Sequence, residues 1–254
     1  GTTADKYCYV RLDAEAAWPR LSVVKNAAST GVHLGPLPSR TMAALVVDAL
    51  QTALPLRRCT QRLGRNHRPA ADATVCSAAQ LGVAHCPCSG TADAAEYAAC
   101  VEQAKRAMYG DAAFVREVLR ERMSKLAAQQ RYEEAATTRD RLSALLGAVR
   151  RTSLLRALGE IGDAEVSLDD TTWLIGDGRL VDVRSAGRLT AALPVEALDT
   201  VTIGQPVPRV HADEALCLAK FLDGHADRLT VRCSGSWTFP IHHSTEIPPL
   251  PRAA

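Results

Sequence analysis

The sequence contains few aromatic residues and no long apolar run. It has 3 Trp, 5 Tyr and 3 Phe residues among 254, so we expect an aliphatic core. Nothing in it suggests a row of aromatic side chains on which unpaired bases would stack. A helix that crosses a bilayer needs about 20 predominantly apolar residues, and no run of that kind occurs. These two absences argue against an aromatic single-strand binding surface and against a membrane-spanning helix.

The chain also lacks an initiator Met and an apolar leader, since it starts Gly1-Thr2-Thr3. We therefore expect a piece of a longer, cytoplasmic protein, in which structural disulfides are uncommon. The net charge is only +2, which excludes a uniformly basic, histone-like DNA binder. A local basic patch remains compatible with this charge.

Common catalytic motifs are absent as well. The sequence contains no P-loop, no Gly-x-Ser-x-Gly motif and no His-Glu-x-x-His motif. Carboxylates such as Asp177 and Asp182 lie near predicted strands, and a Mg²⁺-dependent nuclease centre built on them is a minor alternative. However, Asp177 belongs to a Gly-Asp-Gly segment, where Asp is common for backbone reasons. The residues alone therefore leave open whether the chain is an enzyme.

The pattern of apolar residues indicates an α+β fold with three regions. Short strands and a helix with Ser39 as its N-cap are predicted in residues 1–91, a small N-terminal β/α unit with a cysteine-rich loop. Residues 92–158 are strongly helical and end in a helical hairpin. Period-two alternation then predicts strands, with one short helix, in a small α+β module over residues 159–254. The predicted elements are strands at 7–12, 21–25, 32–34, 166–168, 173–175, 180–183 and 229–232, and helices at 39–54, 92–108, 111–129, 132–158 and 213–222.

Four of the eight cysteines occur within thirty positions: Cys59, Cys76, Cys86 and Cys88. They fall in an irregular stretch, residues 57–91, which is long for a loop in a compact domain unless something cross-links it. Four thiolates suit either an iron–sulfur cluster or structural zinc. The sequence therefore predicts a metal centre here, with packing alone as the alternative. We expect Cys8, Cys217 and Cys233 to be buried thiols that behave as small apolar side chains.

The same loop is rich in arginine and has no acidic residue from Ala53 to Ala71. Guanidinium groups bind phosphates through charge and paired hydrogen bonds, so this segment predicts contacts with DNA phosphates. The alternative is a solvated polar loop without a ligand. The candidate DNA-binding residues are Arg57, Arg58, Arg62, Arg65 and Arg68.

Three segments, in order, resemble the UvrC family of excision-repair nucleases. The first comprises Tyr9-Val-Arg-Leu, Trp18-Pro-Arg-Leu-Ser-Val-Val-Lys25 and His33-Leu-Gly-Pro-Leu-Pro-Ser39. The second is Leu54-Pro-Leu-Arg-Arg-Cys59, which is similar to a Phe-Pro-Leu-Arg-Thr-Cys segment of that family. The third is the helical segment 122–142, which closely matches the UVR motif through which UvrB and UvrC interact. The resemblance covers residues 7–158.

This resemblance implies a [4Fe-4S] cluster on Cys59, Cys76, Cys86 and Cys88, with Zn²⁺ as the alternative. The third cysteine position of the family falls on Ala84 here, and Cys86 follows two residues later. His67 and His85 are spare ligands in a zinc site. The resemblance also implies that the hairpin binds a UvrB-like protein or a second copy, whereas packing within the chain is the alternative. The candidate partner-binding residues are Tyr132, Glu133, Ala136, Arg139 and Asp140.

The function implied is that of a DNA-binding and partner-docking region of a UvrC-like nucleotide-excision-repair nuclease. The parent protein would be an endonuclease, either alone or fused to a 3′–5′ exonuclease. Neither a GIY-YIG nuclease, nor an RNase H-like nuclease, nor a helix–hairpin–helix tail is recognisable in this chain. The alternative is a zinc-binding protein–protein adaptor with a UVR hairpin, although such adaptors typically carry repeated Cys-x-x-Cys pairs.

Overall fold

The structure, a computed structural model, describes residues 3–64, 67–70, 72–185 and 206–242. It contains two compact units, which we call the N-terminal unit, drawn from Lys6–Val149, and the C-terminal unit, drawn from Arg150–His243. In the described residues we find six α-helices and two antiparallel sheets, which confirms the predicted α+β class. No helix among them is both long and apolar enough to cross a bilayer.

The N-terminal unit is built on a three-stranded antiparallel sheet of β1 (Cys8–Leu12), β2 (Leu21–Val24) and β3 (Val32–Leu37). The strand order is β2-β1-β3. All three predicted strands are present, but β3 continues to Leu37, beyond the predicted break at Gly35. A register shift in β1 between Cys8 and Val10 lets the pairing continue, and the edge position of β3 tolerates a proline.

Helix α1 (Arg40–Ala53) packs on this sheet. As predicted, Ser39 is its N-cap, and the Ser39 hydroxyl accepts a hydrogen bond of 3.1 Å from the Met42 amide. The helix buries its apolar face against the sheet, and the buried residues are Ala43, Val46, Ala49 and Leu50. The helix ends at Leu54, immediately before Pro55.

Three longer helices follow, and they share a single core with the sheet and α1. They are α3 (Ala94–Tyr109), α4 (Ala113–Ala128) and α5 (Tyr132–Glu160), after the single-turn helix α2 (Ser77–Gln80). Helices α4 and α5 form the predicted hairpin, with Gln130 at positive φ in the turn. Leu119 of α4 and Leu142 of α5 are fully buried in the cluster that also contains Val10 of β1.

The C-terminal unit has a four-stranded antiparallel sheet with the order β6-β5-β4-β7. Its elements are β4 (Ala164–Leu168), β5 (Thr171–Gly176), β6 (Arg179–Ser185), α6 (Ala212–His225) and β7 (Thr230–Cys233). The Gly-Asp-Gly segment forms the predicted hairpin turn, with Asp177 and Gly178 both at positive φ. Helix α6 covers the sheet, because its Leu222 shares an apolar cluster with Val166 and Ile175.

Candidate nucleic-acid and partner interface

The cysteine-bearing loop is irregular, as predicted, but it is anchored on the N-terminal unit. Apart from α2 and a 3₁₀ turn at Pro87–Ser89, its described residues between Leu54 and Asp93 form neither helix nor strand. Leu56 and Leu63 are buried. The amide of His85 donates a hydrogen bond of 2.7 Å to the carbonyl of Pro55, which joins the two ends of the loop.

The loop brings cysteines together that lie up to 29 positions apart in the sequence. The Sγ atoms of Cys86 and Cys88 are 3.1 Å apart. The pKa of Cys88 is also affected by Cys59, and that of Cys86 by Cys76, so each of these cysteines lies within interaction range of its partner. The contacts therefore run in series from Cys59 through Cys88 and Cys86 to Cys76.

These contacts shift the pKa values of Cys86 and Cys88 in opposite directions. Burial raises the pKa of Cys88 to about 12, and the hydrogen bond and negative charge of Cys86 act in the same direction. Burial also raises the pKa of Cys86, but hydrogen bonds from Cys76, Ser89 and Cys88 outweigh it and bring this pKa to about 6. The direction of the two shifts favours one thiolate shared by this pair of sulfurs.

A complete coordination shell is absent from the described residues. No group of three or more His, Cys, Asp or Glu side chains there is arranged so that it could hold a metal ion. The two candidate zinc ligands make other contacts: Nε2 of His67 lies 3.3 Å from the Cys88 carbonyl, and Nε2 of His85 lies 4.0 Å from the Cys100 thiol. The loop thus brings thiol donors together in pairs.

Arg57 is buried, with 5% of its surface exposed. Its guanidinium donates hydrogen bonds to the carbonyls of Trp18 (2.8 Å) and Gln61 (2.8 Å), and Nη1 lies 3.3 Å from the Cys59 sulfur. Tyr97 completes the arrangement, since its hydroxyl accepts from the Arg57 amide and donates to the Pro19 carbonyl. In this structure the Arg57 side chain therefore supports the loop, and a DNA phosphate would have to displace these bonds; its DNA-binding role stays a prediction.

The other loop arginines differ from Arg57 because their side chains face solvent. Arg58, Arg62 and Arg68 are exposed, and within the described residues none of them forms an ion pair. Arg58 donates hydrogen bonds to the carbonyls of Gln51 at the end of α1 (3.1 Å) and of Val83 (3.5 Å). Arg65 lies outside the described residues.

The hairpin presents a polar outer face and buries its seam. Ala135 and Leu142, which the sequence places in an apolar seam, are fully buried inside the N-terminal unit. Tyr132 remains 45% exposed at the first turn of α5. The remaining candidate partner-binding residues are also accessible: Glu133, Arg139 and Asp140 are exposed and Ala136 is half-buried.

Two further sequence predictions have different outcomes. Cys8 is buried, as predicted, but Cys217 is exposed, so that prediction is wrong. The buried face of α6 carries Ala215, Ala219 and Leu222, and Cys217 points away from it.

Asp177 and Asp182 have roles in the backbone structure: Asp177 occupies the hairpin turn, and the Asp182 carboxylate accepts a hydrogen bond from the Val183 amide. No metal-binding group includes them in the described part of the chain.

Two family models match the N-terminal unit in succession. Residues 7–107 match the UvrC/Cho excinuclease middle domain, and residues 111–147 match the UvrB/UvrC motif. No solved structure matches the chain.

The similar curated proteins include UvrABC system protein C from several organisms. The protein from Natronomonas pharaonis is 29% identical over 219 residues, which cover 83% of this chain and 36% of the relative. That from Geobacter sp. strain M21 is 33% identical over 63% of this chain and 24% of the relative, and that from Psychrobacter sp. is 32% identical over 61% and 25%. The chain thus spans about a third or less of the length of these relatives. Residues 7–107 match the UvrC/Cho middle domain and residues 111–147 match the UvrB/UvrC motif, in the same order as the three sequence segments, so the chain is UvrC-like.

Proposed function

We propose that this chain is a DNA-binding and partner-docking region of a UvrC-like nucleotide-excision-repair nuclease in the cytoplasm. The observation that carries the proposal is the continuity of the N-terminal unit: the middle domain and the UVR hairpin share one hydrophobic core. A surface that binds DNA and a surface that binds a partner are thereby held in one compact unit. The chain itself supplies binding and positioning, and cutting belongs to other parts of the parent protein.

The DNA-binding half of the proposal uses the exposed loop arginines. Arg62 and Arg68 are solvent-exposed, and Arg58 retains free guanidinium nitrogens, so all three can approach phosphate oxygens. Contacts of this kind depend on charge and carry no base sequence information. We therefore expect binding that is insensitive to sequence and falls steeply with salt concentration.

The partner-docking half uses the outer face of the hairpin. An exposed tyrosine beside charged residues is typical of an interface anchor, because the ring buries a large apolar area and the hydroxyl remains available for hydrogen bonding. Tyr132 lies beside Glu133 at the start of α5, one turn before Ala136. The proposed partner is a UvrB-like protein, and a second copy of the chain would use the same face.

We further propose that Cys59, Cys76, Cys86 and Cys88 hold a [4Fe-4S] cluster, with Zn²⁺ as the alternative occupant. Their serial contacts and the low pKa of the Cys86 thiol support this, because thiolates are the ligands of both centres. Such a group would supply a rigid cross-link between distant parts of the loop. The Arg57 guanidinium, 3.3 Å from the Cys59 sulfur, would orient that ligand and offset its negative charge.

The experiment that tests the proposal measures binding of the chain to a fluorescein-labelled duplex with a central unpaired bubble. We expect binding at low salt, weakened when Arg62 and Arg68 are both replaced by alanine. The matched control replaces Arg106, which is exposed on α3, and should retain the wild-type affinity. Absence of binding to bubble, flap and intact duplexes by folded protein at low salt would refute the DNA-binding half.

A further inference from the structure

A second arginine cluster joins one arginine of the sequence-indicated set, Arg58, with two that lie outside that set, Arg122 and Arg141. A cavity of about 420 Å³ opens between the C-terminal half of α1, the cysteine loop and the hairpin. We call it the arginine cleft. The lining residues used in the argument are Asp48, Gln51, Arg58, Val83, Arg122 and Arg141.

The three guanidinium groups of the cleft are poorly neutralised. Arg122 forms no hydrogen bond or ion pair within the described residues. The charge of Arg122 acts on Glu134, but the Glu134 carboxylate is already paired with Arg131 at 2.5 Å. Arg141 meets Asp48 only at 3.4 Å, and its buried Nε has no hydrogen-bond partner. The Nη2 atom of Arg58 donates hydrogen bonds to two main-chain carbonyls. Three positive charges therefore face a single carboxylate among the described lining residues.

Helix capping explains only one of these arginines. The C-terminal end of α1 carries free carbonyls that attract a cation, and Arg58 satisfies that of Gln51. Arg122 and Arg141 come from α4 and α5 and make no such contact. Like charges brought together from three segments repel one another unless an anion lies between them. The cleft therefore has the charge and the donors of an anion-binding site.

We propose that the arginine cleft binds one backbone phosphate of a nucleic acid, through Arg58, Arg122 and Arg141. This rests on the proposed DNA-binding function and names the residues that carry it. A phosphodiester presents two charged oxygens, which match the forked donors of arginine. Gln51 and Thr52 add polar groups beside the arginines, and Ala53, Pro55 and Val83 form the apolar part of the lining. One phosphate held here would bring the cysteine loop and the UVR hairpin onto the same DNA strand.

The test compares four single variants of the full chain with wild type, using the labelled bubble duplex over a series of salt concentrations. Arg122→Ala and Arg141→Ala should each weaken binding, and the slope of log affinity against log salt should become less steep by about 1 for a lost phosphate contact. Asp48→Asn removes the competing carboxylate and should tighten binding a few-fold. Arg120→Ala is the control, because Arg120 is exposed on the same helix but paired with Glu117.

Opposite signs for Asp48→Asn and Arg122→Ala cannot both arise from loss of structure, and thermal melting of each variant checks this separately. One outcome is that wild type binds DNA while Arg122→Ala has the same affinity as Arg120→Ala and Asp48→Asn has the affinity of wild type. That result would refute the phosphate site in the arginine cleft and leave the proposed function standing. If wild type binds no DNA, the proposed function fails first. If oligoglutamate of equal charge displaces the DNA and loses affinity in Arg122→Ala, the cleft is a site for acidic polypeptides, and the nucleic-acid assignment is overturned.

Discussion

The guanidinium of Arg57 lies 3.3 Å from the sulfur of Cys59, two residues along the chain, and both are held by the same irregular loop. The arrangement also satisfies the carbonyls of Trp18 and Gln61, so a single buried side chain connects the loop with the segment before β2. A buried charge is tolerated only where hydrogen bonds replace its water, and here they do.

Replacing Arg57 with methionine should therefore lower the free energy of unfolding by about 2–4 kcal/mol, because carbonyls that are now satisfied would lose their donor. Arg57→Lys should retain only part of the lost free energy of unfolding, since an ammonium group cannot reproduce the forked hydrogen-bond donors of a guanidinium. Urea unfolding measures the change. Arg62→Met is the control, because Arg62 is exposed, and we expect it to stay within about 0.5 kcal/mol of wild type. Equal stability of Arg57→Met and Arg62→Met would contradict the structural role.

The contrast between Arg57 and Arg58 shows what sequence alone could and could not predict. Periodicity and capping signals located the strands, the helices and the N-cap at Ser39, because these depend on local spacing. The outward or inward direction of adjacent loop arginines depends on tertiary packing, here on Trp18 and Tyr97, which no local pattern encodes. The arginine cleft was missed for the same reason: Arg58, Arg122 and Arg141 are far apart in sequence.

The cysteine proposal predicts a bound inorganic centre in anaerobically purified protein. For a [4Fe-4S] cluster we expect a brown protein with iron and acid-labile sulfide, and for zinc a colourless protein with one zinc. Either should be lost in Cys88→Ser, since Cys88 contacts both Cys59 and Cys86. Cys217→Ser should retain it, because Cys217 is exposed on α6. Wild-type protein without iron or zinc would show that the four thiols are ordered by packing alone.

Because His33 is buried with a hydrogen bond to its ring, we expect the protein to lose stability in mild acid. It is buried in β3, and its Nε2 accepts a hydrogen bond of 3.2 Å from the Ala28 amide. Burial lowers the His33 pKa below its ordinary value of 6.5, and the charge of Arg11 lowers it further, although a backbone hydrogen bond with Gly31 opposes them. The folded state thus favours the neutral ring. Its contribution is complete above the unfolded pKa and declines as pH falls from there toward the folded pKa.

Unfolding free energies measured on both sides of that window should therefore differ more for wild type than for His33→Gln. Glutamine keeps a hydrogen-bonding side chain but does not titrate, so the difference between the two slopes isolates the imidazole from the carboxylates. Parallel pH profiles for the two proteins would rule out His33 as the titrating group.

Gly35 marks the point where β3 continues past its predicted end. Its φ of +138° is unfavourable for other residues, and an added Cβ would lie 3.0 Å from the Cys8 carbonyl oxygen and 3.1 Å from the Leu37 nitrogen. Gly35→Ala should destabilise the chain by more than about 1 kcal/mol. Gly147→Ala, in the middle of α5 with open space around it, should stabilise by about 0.5–1 kcal/mol. The melting temperatures of the two variants should thus move in opposite directions, and a Gly35→Ala melting temperature at or above that of wild type would contradict the close approach at Gly35.

Replacement of Tyr132 tests partner docking independently of folding. Its ring is 45% exposed, so Tyr132→Ala should leave the melting temperature close to wild type while weakening capture of a UvrB-like protein about tenfold or more. Leu142→Ala is the reciprocal variant: Leu142 is fully buried, and its truncation should cost about 2–5 kcal/mol of folding free energy. Binding to purified UvrB, measured by calorimetry below the melting temperature of both variants, distinguishes them. If Tyr132→Ala binds as wild type does, the partner contacts another face of the hairpin, and the proposed anchor is wrong.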